Sequence, residues 1–86
     1  MSVKKKEINK KLESIVKKNL KLNKSFNLSK ILKLKMDDDL DSLSLISIVA
    51  DINQKLKVKF SADQISNVKS MNDIFQLVFK FLKLND

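Results

Sequence analysis

Between residues 4 and 19 the apolar positions Ile8, Leu12, Ile15 and Val16 fall at i, i+4, i+7 and i+8. They make one stripe at helical period, with Lys and Glu filling most other positions, and predict an amphipathic helix. From 21 to 41 no period is sustained: Phe26, Leu28, Ile31, Leu32 and Leu34 are scattered among Lys, Asn and Ser. Leu/Lys alternation around 31–35 suits a strand, but no partner strand is written elsewhere. The segment is expected to be a long loop pinned by apolar anchors, with at most a short turn of helix. A connection of about twenty residues is unusual in a compact domain unless it has a function.

Periodicity returns at residue 42. Leu45, Val49, Ile52 and Leu56 lie at i, i+4, i+7 and i+11, and Leu43, Ile46 and Ile48 widen the stripe. Asp41 stands where it can cap this helix, whose exposed face is expected at Ser44, Ser47, Asp51, Gln54 and Lys55. Val58 and Phe60 anchor the next turn. Ser61-Ala62-Asp63-Gln64 is a capping-box pattern and predicts a short third helix with Ile65 and Val68 inward. Ser70-Met71-Asn72-Asp73 is a weaker box. It opens a final helix to about Leu82, turning Met71, Ile74, Phe75, Val78 and Leu82 inward. The expectation is an all-α fold: a small four-helix bundle with a long loop between helices 1 and 2 and a short helix 3. Its 86 residues are expected to form a single domain, 1–86.

Composition narrows the chemistry. The chain has no Cys, His or Gly. It therefore contains no thiolate nucleophile, no imidazole base, and neither a P-loop nor a dinucleotide fingerprint. A Ser–Lys dyad is conceivable, but nothing distinguishes one Lys from the rest, and enzymatic activity is not expected. No apolar run approaches the ~20 residues of a membrane span. The basic start leads into a charged amphipathic stretch and not into a signal-peptide core. A cytoplasmic protein is expected, without stable membrane insertion.

The formal charge is +8, all of its cations being Lys. A basic chain invites a nucleic-acid reading, but Arg, the residue best suited to bidentate phosphate and guanine contacts, is absent. The charge is also uneven. Residues 1–35 hold twelve Lys and two Glu, whereas residues 36–54 hold five Asp and no Lys. An acidic island thus sits inside a basic chain.

Within that island lies Asp41-Ser42-Leu43, at the end of the loop and the head of the second helix. With Phe60-Ser61 and Ser70-Met71 spaced behind it, the chain resembles the acyl carrier protein family. The resemblance covers essentially the whole chain, although residues 20–36 match only in length and apolar character. It implies a 4'-phosphopantetheine arm attached covalently at Ser42 by a phosphopantetheinyl transferase, with Asp41 and Leu43 flanking the attachment point. Acyl groups would ride on the arm as thioesters and be presented to acyl-transferring and acyl-modifying enzymes of fatty acid or related lipid or secondary-metabolite biosynthesis.

The chain departs from the family at several positions. Asp39 stands where the family usually has Gly, and Ser61 where Pro is frequent. The acidic face that many relatives carry on helix two is reduced to Asp51. Partner recognition is assigned to Asp37, Asp38, Asp39, Ser44, Ser47 and Asp51, and the partners are expected to carry basic docking patches. No metal is expected, although Asp37, Asp38 and Asp39 admit a divalent cation as a weaker reading. A monomer is expected. Ile46, Val49, Ile52, Phe60, Ile65 and Met71 are a surplus of apolar residues for so small a bundle, which suggests that the interior stores part of an acyl chain. The competing readings are a small Lys-rich helical nucleic-acid-binding protein and a membrane-surface helix at 4–19.

Overall fold

A computed structural model of the protein describes residues 2–23, 25–36, 38 and 40–83, with side chains from Lys5 onward. In chain order the helices are α1 (Ser2–Leu20), α2 (Leu28–Leu32), α3 (Ser42–Leu56), α4 (Ala62–Ser66) and α5 (Met71–Phe81). The all-α architecture, the long connection after the first helix and the short helix before the last are as expected. The extra element, α2, occupies the long connection as the turn of helix that segment admitted. Its local cause is legible: the Asn27 side chain accepts the Lys30 N–H at 3.0 Å, and Ile31 is buried one turn on.

The core joins Leu12, Ile15 and Val16 of α1 to Ile31 of α2, Ile48, Ile52 and Leu56 of α3, and Met71, Ile74, Phe75 and Val78 of α5. Each such side chain contributes about 1.5–3 kcal/mol through burial. Phe75 and Phe79 meet edge to face, with centroids 6.5 Å apart. Phe79 is a core residue that the spacing did not single out, whereas Leu82, expected inward, is only half-buried and follows the last turn of α5. Ile8 is likewise half-buried.

The stripe on α3 needs a larger correction. Ile48, Ile52 and Leu56 are buried and Leu45 and Val49 half-buried, but Leu43 is 76% and Ile46 62% exposed. Apolar residues surround the first half of this helix, so periodicity alone cannot choose its inward face. Packing against α1 selects the Ile48–Ile52 side. The opposite side faces α4, which has only five residues and buries none of them.

Caps account for most of the boundaries. At α4 the full capping box forms: Gln64 N–H donates to Ser61 Oγ at 3.1 Å and Ser61 N–H donates to Gln64 Oε1 at 2.9 Å. The second expected box does not form. Ser70 makes no side-chain cap, and the Asp73 carboxylate reaches past it to accept the Lys69 N–H at 2.9 Å. Ser70 is engaged differently, in a single antiparallel bridge with Lys35. There Met36 N–H donates to Lys69 O at 3.0 Å and Met71 N–H to Leu34 O at 2.8 Å. The alternation around 31–35 thus reflects one bridge that ties the long connection to the start of α5.

The C-terminal stops are unusual in chemistry. A residue with positive φ is usually Gly at such places, but here Lys21 (φ 56°), Lys57 (φ 60°) and Lys83 (φ 58°) follow α1, α3 and α5. Leu22 N–H returns to Lys17 O and Lys57 N–H to Asn53 O, both at 3.0 Å, so the last carbonyls of α1 and α3 are satisfied without glycine.

Candidate functional site

At the head of α3 the backbone of Asp41 is extended (φ −93°, ψ 171°) and its carboxylate accepts the Ser44 N–H at 2.7 Å. The Asp41 carbonyl in turn accepts the Leu45 N–H at 3.1 Å. The hydrogen bond from the Ser44 backbone, aided by the Ser44 side chain, holds the Asp41 pKa below the ordinary aspartate range. Ser42 is the first residue of α3 and is exposed. It lies within the first turn, whose N–H groups have no acceptor inside the helix. Leu40, just before, is buried and anchors the approach.

One turn beyond Ser42 opens an apolar groove of about 640 Å³ between α3 and α4. Leu45, Ile46, Val49 and Ala50 line one wall and Phe60, Ala62 and Ile65 the other, with Asn53, Ser61 and Ser66 supplying its polar atoms. Of the residues expected to surround a stored chain, Ile46, Val49, Phe60 and Ile65 line this groove. Ile52 and Met71 do not: both are fully buried in the core.

The recognition residues proposed from sequence are placed unequally. Ser47 and Asp38 are exposed, and Ser44 is half-buried with its N–H held by Asp41. Asp37 and Asp39 lie outside the described residues. Asp51 is half-buried and turned toward α1, where its Oδ2 accepts from Asn19 Nδ2 at 2.8 Å. The same amide nitrogen donates to Ile15 O at 2.8 Å. Asn19 is a positioning residue that sequence reasoning missed, because the pairing spans 32 positions and leaves no local pattern. Among the described residues no three His, Cys, Asp or Glu side chains gather as metal ligands, and the Asp37–Asp39 reading falls largely outside them.

The arrangement offers an exposed serine, an anion-tolerant helix start and an apolar groove, but no imidazole to activate the hydroxyl in a chain without His. It has the form of a small helical carrier module that is acted on by other proteins. A family model described as phosphopantetheine attachment site matches residues 10–78, from the middle of α1 to within three residues of the end of α5. The chain belongs to this family of phosphopantetheine-dependent carrier proteins. No curated protein and no solved structure matches the chain. Membership makes the protein a non-catalytic carrier that interacts with a phosphopantetheinyl transferase and biosynthetic enzymes, and whose domain is the attachment site of a covalently bound 4'-phosphopantetheine. No helix among the described residues is long and apolar enough to cross a membrane.

Proposed function

We propose that Ser42 is the attachment residue and that the protein carries acyl groups as thioesters for fatty acid or related lipid or secondary-metabolite biosynthesis. The observation that carries this reading is the exposed Ser42 hydroxyl at the head of α3, one turn from the apolar groove. The residues present suit the group. Asp41 draws the Ser44 N–H onto its own carboxylate, while the first-turn N–H groups and the helix dipole favour a phosphodiester beside Ser42. The arm supplies a terminal thiol that the cysteine-free chain lacks. Ser42 has no imidazole neighbour in a chain without His, so its activation belongs to the transferase.

The exposed Leu43, Ile46 and Ser47 give enzymes a neutral, partly apolar face, and the loop aspartates add the nearby negative charge. The groove receives apolar cargo between Val49 and Ile65. Among the described residues only Leu43, Ile46 and Phe81 are exposed large apolar side chains, which suits a monomer. Dependence on coenzyme A as arm donor suits the cytoplasm.

Incubation with coenzyme A and a broad-specificity phosphopantetheinyl transferase, read by intact mass, tests the assignment. One phosphopantetheine per chain is expected, and none on a folded Ser42→Ala variant. Modification at another Ser, or none with several transferases, overturns it. A medium-chain acyl form that melts no higher than the holo form would remove the groove from this reading.

A further inference from the structure

Ten residues line the groove between α3 and α4, and none of them is charged, although charged residues make up 33% of the chain. The wall therefore offers no ion pair to a charged cargo. What it holds is sorted by apolar contact and by hydrogen bonding.

Three of the ten carry polar side chains: Asn53, Ser61 and Ser66. Ser61 Oγ accepts the Gln64 N–H at 3.1 Å and Ser66 Oγ donates to Asp63 O at 2.9 Å, so both are used within α4 and its cap. Asn53 differs. Its main-chain carbonyl accepts the Lys57 N–H, but its side-chain amide has no hydrogen bond among the described residues. Its place is also defined. The groove face of α3 runs from Leu45 and Ile46 through Val49 and Ala50 to Asn53, at helical spacing. This wall is about 12 Å long, and Asn53 ends it on the side away from Ser42, about 16 Å along the helix axis.

An alkyl chain that filled the groove would press its methyl end against this amide. It would strip water from a donor and an acceptor without replacing their bonds. A cargo ending in oxygen restores them, since the amide both donates and accepts. We propose that Asn53 is a specificity-determining residue, and that the groove takes uncharged acyl chains with a hydroxyl or carbonyl oxygen at the end remote from the thioester. The inference rests on the reading that the arm is attached at Ser42, which brings the thioester in from the Leu45–Ile46 end. Discrimination is modest, because Asn53 is exposed and water competes for its amide.

The test compares octanoyl with 8-hydroxyoctanoyl, each loaded from its coenzyme A thioester by the transferase and checked by intact mass. The hydroxylated form is expected to melt about 2–4 °C higher, the effect of one partly solvated hydrogen bond in a domain of this size. It should also shift the NMR signals of the Asn53 side-chain amide more than octanoyl does. Asn53→Leu, at an exposed position, extends the apolar wall, so it should abolish the difference and raise the octanoyl form. Failure to load Ser42 would strike the attachment reading alone, because the same pair is also titrated as free methyl esters into the Ser42→Ala chain. There methyl 8-hydroxyoctanoate is expected to bind about two- to fivefold more tightly than methyl octanoate, read through the Asn53 amide. Three results overturn the proposal: equal melting of the two loaded forms, a difference that survives Asn53→Leu, or equal affinity for the two esters.

Discussion

Asp41 shows how far a single residue can be read from sequence. Its capping role depends on a carboxylate and an N–H three residues later, so the chemistry is local and Asp41-Ser42-Leu43 announces it. The structure adds a direction of titration. The Ser44 hydrogen bond stabilises the ionised form and lowers the pKa. Because the folded-state value lies below the unfolded one, the stabilisation is complete above the ordinary aspartate value, about pH 4, and is lost as pH falls through the lowered one. Asp41→Asn keeps a competent cap but cannot titrate. The urea midpoint of the wild type should therefore fall more steeply than that of the variant on acidification below about pH 4. Parallel curves would show that the cap does not sense the charge. Leu43 is the opposite case. Its apolar character put it in the core stripe, yet it is exposed, because no partner covers that side of the helix head.

At the scale of elements, helices were legible wherever one stripe was unambiguous or a cap was written out. A stripe served for α1 and α5, and a written-out cap for α3 and α4. What sequence missed was the inward face of α3, whose first half is apolar nearly all round, and the tether between Asn19 and Asp51, which depends on tertiary placement. Two of the three isoleucines of that helix, Ile46 and Ile48, separate pattern from packing. Ile48→Ala should cost about 2–5 kcal/mol, because a fully buried side chain leaves a cavity. Ile46→Ala should change stability by no more than about 0.5 kcal/mol, since that side chain is 62% exposed. Equilibrium urea unfolding of the two variants decides it. Equal losses would mean that α3 packs on the face inferred from periodicity.

For the whole molecule, the carrier family was legible because its signature combines a local motif with helix order, and both survive drift in composition. The open groove was not. It exists because α4 is short and buries none of its residues, so an apolar wall of α3 is left facing solvent. Nor could the charge map show that Glu13, Asp41, Asp51 and Asp73 are engaged inside the fold. Of the acidic island, Asp38 and Asp41 are exposed, whereas Asp51 is half-buried and turned toward α1.

The left-handed lysines mean that this fold works below the thermal ceiling its own backbone allows. A side chain at positive φ carries local strain of about 1–2 kcal/mol that glycine would relieve, although glycine also loosens the unfolded chain. Lys57→Gly should therefore give a net gain of about 0.5–1 kcal/mol, which for a domain of this size raises the melting temperature by several degrees. The cation also complements the carbonyl end of α3, so the gain should be smaller in dilute buffer and larger in concentrated salt. Lys21 and Lys83 end other helices, and sites without shared partners contribute nearly additively. Calorimetry of the single and triple glycine variants would measure how much heat tolerance this glycine-free chain has left unclaimed.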